Sequence, residues 1–172
     1  MKIIIVVLIM SLSYFGCVFS EVPEGGSLMQ ITSPEFKHNQ SIPSKFTCQG
    51  DDLNPALIIE NTPKGSQSLV LIVDDPDAPR GNWDHWIVYD IEPGILRIEE
   101  DSIPGKQGVN DFKRLDYGGP CPPSGTHRYF FKIYALDTML NLEEGVSKQE
   151  LEDAMQGHIL DKAELVGLYK KS

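Results

Sequence analysis

From Leu28 onward, short apolar runs alternate with clusters of Pro, Gly, Asp and Asn, the rhythm of an all-β domain of short strands and turns. Ala56 to Glu60 lies between Asn54-Pro55 and Asn61-Thr62-Pro63-Lys64-Gly65 and predicts one strand. Ser68 to Val73 is a run without polar alternation, as expected of a strand buried on both faces. Trp86 to Ile91, Arg128 to Leu136 and Glu164 to Tyr169 mark further strands. Residues 92–126 are rich in Pro and Gly and poor in apolar periodicity, and so long a loop region in a compact domain is a place to seek function. The period changes once. Ser147 followed by Glu150 is a capping-box signature, and Leu151, Ala154, Met155, His158 and Ile159 recur on one helical face. That spacing predicts a peripheral helix with His158 as a core or boundary residue.

The N-terminus follows a different pattern. Lys2 precedes an apolar stretch running to Phe19, and Val18-Phe19-Ser20 before Glu21 suits a signal-peptidase cut. The expected organisation is a signal peptide over 1–20, a short tether over 21–27 and one domain over 28–171. Gly16-Cys17 offers a second reading, a lipoprotein anchored through Cys17, although Tyr14 and Phe15 fit that pattern poorly. An uncleaved anchor is the third, but the stretch is interrupted by Ser11, Ser13 and Gly16 and falls short of the roughly 20 apolar residues that a span requires. All three readings imply export, to the periplasm or to the outside.

Composition narrows the function. The formal net charge is −10, with no Lys/Arg cluster, which excludes nucleic-acid binding and docking on anionic bilayers through a basic face. Of the three cysteines, Cys17 lies in the leader, leaving Cys48 and Cys121 as a disulfide candidate in an oxidising compartment, or as two free buried thiols. Asn39-Gln40-Ser41 is a glycosylation sequon, meaningful only in a eukaryotic secretory route.

Three segments concentrate unusual polar residues. Asp74-Asp75-Pro76-Asp77-Ala78-Pro79 ends the most apolar strand, where the two prolines make a rigid loop. In Trp83-Asp84-His85-Trp86, strand alternation puts Trp83 and His85 on one face, with Asp84 and Trp86 on the other. Gly118-Gly119-Pro120-Cys121-Pro122-Pro123-Ser124-Gly125 leads into Thr126-His127-Arg128-Tyr129, where His127 and Tyr129 share a face and Arg128 points away, toward a carboxylate. Each also has a plain structural reading, as a capped turn or a histidine bonded to its own loop. No H-x-x-x-H or H-x-H spacing marks a metal site, no G-x-S-x-G elbow marks a hydrolase, and no phosphate-loop or dinucleotide fingerprint is present. Two imidazoles, a phenol and Gly-rich backbone suit a small anion pocket better.

Together, D-P-D-A-P at 75–79, W-x-H-W at 83–86 and G-G-P-C-P-P-S-G-T-H-R-Y at 118–129 resemble the phosphatidylethanolamine-binding protein family, in its bacterial and archaeal Raf-kinase-inhibitor-like branch. The resemblance implies a mostly β single domain on a large antiparallel sheet, β-sandwich-like, with one or two peripheral helices. It also implies an anion pocket formed by Asp75, Trp83, His85, Pro122, His127 and Tyr129, and a cis peptide at Ala78-Pro79. No cofactor, metal or catalytic residue is expected. On this reading His85, His127 and Tyr129 donate to a phosphate or carboxylate group, and Asp75 orients a histidine. The family association leaves open a homodimer and a protein target of kinase- or protease-inhibitor type. An enzyme using His85 and His127 as acid and base is the remaining alternative.

Overall fold

The computed structural model describes residues 28–172; the expected signal peptide and tether, and Cys17, lie outside the described residues. The strands are β1 (Gln30–Thr32), β2 (Gln40–Ser41), β3 (Leu57–Glu60), β4 (Ser68–Asp75), β5 (Trp83–Ile91), β6 (Arg97–Ile98), β7 (Lys106–Gln107), β8 (Thr126–Leu136) and β9 (Ile159–Lys170), with one helix, α1 (Lys148–Met155), between β8 and β9. They form a six-stranded sheet in the order β2-β9-β8-β4-β5-β7 and a three-stranded sheet β1-β3-β6. The large sheet is antiparallel except at its edge, where the two-residue β2 runs parallel to β9.

One face of β4 contributes Leu69, Leu71 and Val73 to a core shared with Ile31, Leu57 and Ile59 of the small sheet, which makes the molecule a two-layer sandwich. The other face contributes Val70 and Ile72, which pack with Ile87 and Tyr89 under Leu151 and Met155 of α1. Burial on both faces explains why β4 shows no alternation in sequence.

The helix begins as its capping box predicts. Ser147 accepts from the backbone N–H of Glu150, and Glu150 accepts from that of Ser147. It ends a turn earlier than the apolar spacing predicts. Gly157 turns the chain at φ 81°, and Ile159 already pairs with Leu136. The long β8–β9 ladder outweighs one further helical turn. His158 is therefore exposed, and its Nδ1 lies 2.8 Å from Asp137.

A second departure is in β5. Val73 pairs with Trp86 and Asp74 with Asp84, so His85 is the extra residue of a β-bulge. The bulge turns Trp86 into the main core beside Tyr117, on the side where His85 meets Tyr129, and leaves Asp84 facing Lys148 on the opposite side. Trp86 thus does not share a face with Asp84, as strict alternation predicts.

Candidate functional site

The ends of β4, β5 and β8 meet at one edge of the sandwich. Asp75 closes β4, Trp83 and His85 open β5, and His127 and Tyr129 open β8. With Ala78, Pro79, Phe112, Cys121 and Pro123 they line a mostly apolar cavity of about 200 Å³. Five of the six predicted pocket residues are brought together here. Pro122 is the exception: it is buried, and the cavity wall is formed by its neighbours Cys121 and Pro123. A residue that precedes proline is pushed toward extended geometry, so side chains along Cys121-Pro122-Pro123 alternate between the two sides of the loop.

The prolines of the first loop do what stiff turns do, but without a cis bond. No peptide among the described residues is cis, so the expected cis bond at Ala78-Pro79 is corrected to trans. The Gly81 N–H bonds back to the Ala78 carbonyl at 3.1 Å, which places Pro79 at the second position of a β-turn, where trans proline is favoured.

Asp75 is 4% exposed and fully engaged. One carboxylate oxygen accepts from the Asp77 N–H at 2.8 Å, and the other lies 2.7 Å from His127 Nδ1. An ionised carboxylate can only accept, so His127 carries its proton on Nδ1, and Nε2 is left for the cavity. Asp77 takes the next residue along β8. Its carboxylate receives the Arg128 backbone N–H at 3.0 Å and two guanidinium N–H groups at 2.8 and 2.6 Å. The Arg128 hydrogen bonds hold the Asp77 carboxyl down to about 2. The Asp-Pro-Asp loop therefore grips both faces of β8 where the cavity begins.

His85 is set differently. Its Nδ1 lies 2.5 Å from the Gly118 carbonyl, while its own carbonyl accepts from Gly118 N–H at 3.0 Å and from Asn110 Nδ2 at 3.2 Å. A carbonyl cannot donate, so Nδ1 bears the proton, and in the neutral ring Nε2 is a bare acceptor. Burial pushes the His85 pKa below its ordinary 6.5, against the opposing pull of the Gly118 carbonyl and Asp75. His85 at neutral pH is therefore an acceptor toward the cavity, and the expectation that it donates is corrected.

Tyr129 is fully buried beside His85, and its hydroxyl lies close to the Asp75 carboxylate and the Cys121 backbone N–H without a well-formed hydrogen bond to either. Burial and the nearby Asp75 raise its pKa far above the ordinary value, so it stays protonated. Its ring meets His85 edge-on, with centroids 5.2 Å apart. Phe112 was not foreseen; its ring packs edge-on against both Trp83 and His85 at 5.5 and 5.3 Å. It sits in the loop pinned by Asn110, whose side chain reaches the carbonyls of His85 and Asp116. Cys48 and Cys121 are joined in a disulfide that ties the cavity wall to the 44–52 strap. Among the described residues no group of three or more His, Cys, Asp or Glu could hold a metal ion.

A larger hollow of about 400 Å³ lies between β1 and β9, beside Ile31, Phe36, His38 and Leu165. Its imidazole, His38, accepts the Val166 N–H at Nδ1, and no second histidine faces it.

The family model described as Phosphatidylethanolamine-binding protein matches residues 32–170. A relative from Methanothermobacter thermautotrophicus, named a UPF0098 protein, is 45% identical over 151 residues, covering 83% of this chain and 99% of its own length. The crystal structure of a phosphatidylethanolamine-binding protein homolog from Chlamydia trachomatis superposes with a TM-score of 0.82 at 45% identity, covering 84% of this chain and 99% of that one. Escherichia coli YbcL, described as a member of the mammalian family, gives 0.78 at 29% identity over 85% of this chain and all of its own.

Proposed function

The chain belongs to the phosphatidylethanolamine-binding protein family, and from that premise we propose that it is an exported, non-enzymatic binding protein whose cavity holds a small anion of the phosphate or carboxylate head-group class. The observation that carries the reading is the Tyr129 hydroxyl. It is buried close to Asp75 and Cys121 with no well-formed hydrogen bond, and a ligand oxygen in the cavity would give it one. His127, held by Asp75 through Nδ1, lines the same cavity, and its Nε2 donates to an anion only in the imidazolium form. His85 Nε2, an acceptor, suits a ligand oxygen that carries a proton. Binding of a phosphate therefore takes up a proton, supplied either to an imidazole or to the phosphate, whose second ionisation lies near pH 6 in a monoester.

Non-enzymatic binding is supported by the lining itself. Asp75, the one carboxylate in it, is paired with His127, and the one sulfur in it is held in a disulfide, so neither is a free nucleophile. Export is supported by the leader pattern and by the disulfide, which suits an oxidising compartment. No helix among the described residues is long and apolar enough to cross a membrane.

Calorimetry with inorganic phosphate and with acetate tests the reading. Phosphate affinity is expected to rise from pH 8 to pH 6, with net proton uptake seen in buffers of different ionisation enthalpy. His127→Ala is expected to weaken binding by roughly tenfold or more, the scale of a lost charge-assisted hydrogen bond. A flat or reversed pH profile would sink the account.

A further inference from the structure

The Cys48–Cys121 bridge borders two hollows at once. Cys121 lines the anion cavity, and both cysteines line a neighbouring depression of about 320 Å³ together with Asp52, Phe112, Arg114 and the Gly118-Gly119 backbone. The two sulfurs are not equivalent. Cys48 is exposed, whereas Cys121 is half-buried and has the Lys171 ammonium 3.9 Å from its Sγ. A cation beside a sulfur stabilises that sulfur as a thiolate and makes it the better leaving group in exchange. The Arg114 guanidinium in the depression gives an incoming thiolate a favourable approach, even though Asp116 and Asp52 pair with it at 3.0 and 3.9 Å.

We propose that this disulfide is a thiol-exchange site that gates the anion cavity, and that its reductant is a dithiol. In the first step a reductant thiolate attacks Cys48 Sγ. A new sulfur–sulfur bond forms to Cys48, the Cys48–Cys121 bond breaks, and the electron pair leaves on Cys121 Sγ beside Lys171. The second thiolate of the reductant then displaces Cys48, closing the reductant's own disulfide. Two electrons pass to the protein, and the dithiol is oxidised. The consequence for the cavity follows from where Cys121 sits. Reduction puts a free thiol or thiolate in the wall and releases the covalent tie on the loop whose Gly118 carbonyl sets the His85 tautomer. Negative charge beside an anion site, and a loosened wall, both lower anion affinity. The strap stays in place without the bridge. Gly119 N–H bonds to Asp52 at 2.8 Å, Cys48 N–H to the Pro120 carbonyl at 3.2 Å, and the Tyr117 hydroxyl to the Phe46 carbonyl at 3.1 Å. Reduction is thus a local event in a folded protein.

The gating half of the proposal rests on the anion-binding reading; the exchange half does not, and the experiment separates them. The oxidised full-length protein is exposed briefly to limiting glutathione, quenched in acid, alkylated and mapped by peptide mass spectrometry. The mixed disulfide is expected on Cys48 over Cys121 by roughly tenfold, and Lys171→Met is expected to slow its formation by roughly fivefold. Adduct on Cys121, equal adducts, or an unchanged rate in Lys171→Met overturns the exchange site. Separately, inorganic phosphate is titrated calorimetrically into oxidised and dithiothreitol-reduced protein. Reduction is expected to weaken binding by roughly fivefold while the near-ultraviolet circular dichroism stays native. Equal affinities, or loss of the native spectrum, overturn the gate. If oxidised protein fails to bind phosphate, the anion reading and the gate fall together, and the position of the glutathione adduct still decides the exchange site.

Discussion

The Tyr129 hydroxyl is buried near Asp75 and Cys121 without a well-formed hydrogen bond, while the residues around it are firmly held: Asp75 holds His127, Gly118 holds His85, and Asp77 holds Arg128. Stability and function should therefore part company at this residue. Tyr129→Phe is expected to change stability by no more than about 1 kcal/mol, because the hydroxyl holds no well-formed hydrogen bond, while weakening phosphate binding several-fold. Chemical denaturation and calorimetry on the same preparation check both effects. His85 gives the pH dependence. Its folded pKa lies below the ordinary 6.5, so in the window between the two values the unfolded chain holds a proton that the folded chain refuses. The stability associated with neutral His85 is complete above that window and is lost as pH falls through it. Melting temperatures between pH 7.5 and 5 should fall, and the slope should be shallower in His85→Asn, whose amide N–H can still reach the Gly118 carbonyl. Much at this scale was legible in the sequence. The shared face of His127 and Tyr129, the opposite face of Arg128 and its carboxylate partner follow from strand alternation beside an Asp-Pro-Asp turn, whereas Asp75 as the orienter of a histidine came from the family resemblance. The donor role expected of His85 was not legible as wrong, because its tautomer is set by a carbonyl 33 residues away.

At the scale of elements, the long strands were legible because β4, β5, β8 and β9 carry apolar residues that must be buried whatever their partners. The two-residue strands β2, β6 and β7 were not, since too few positions exist to show a period. The bulge at His85 was invisible for a different reason. It is a property of the register between β4 and β5, and one strand's sequence does not contain it. The trans turn at Pro79 likewise depends on the Gly81 hydrogen bond rather than on proline content. The loop that walls the cavity can be tested through Gly119. A Cβ there would sit 2.7 Å from the Phe46 carbonyl oxygen and 2.8 Å from Thr47 Cα, both backbone atoms. Gly119→Ala is expected to cost roughly 1–3 kcal/mol by overpacking and to shift the strap away from the cavity wall. A change in phosphate affinity alongside the loss of stability checks the connection. An unchanged denaturation midpoint would show that the strap yields freely.

At the scale of the molecule, the charge of −10 works against any anion that approaches. Attraction has to come from short-range hydrogen bonds inside the cavity, which salt screens little, whereas the repulsion from surface carboxylates is screened over a Debye length of about 10 Å at 0.1 M. Phosphate affinity should therefore rise as ionic strength is raised from low to physiological, the reverse of a binder with a basic surface; calorimetry in graded sodium chloride checks it. The disulfide also acts at this scale. It joins residues 73 positions apart, and loop-closure entropy puts its contribution on the order of 4 kcal/mol. Cys48→Ser with Cys121→Ser should lower the unfolding free energy by about that amount, read by chemical denaturation, yet leave the protein folded, since the sheets and their core do not depend on it.

The central claim is that His127, His85 and Tyr129 form the anion site, and the four histidines offer a direct test. Selective ¹⁵N labelling of histidine, followed by titration with inorganic phosphate at pH 6.5, reads each imidazole separately. The account predicts that the Nε2 resonances of His127 and His85 shift together with one saturation curve, while His38 and His158 stay still. Shifts confined to His38, in the larger hollow beside β1, or no shift at any histidine, would contradict it.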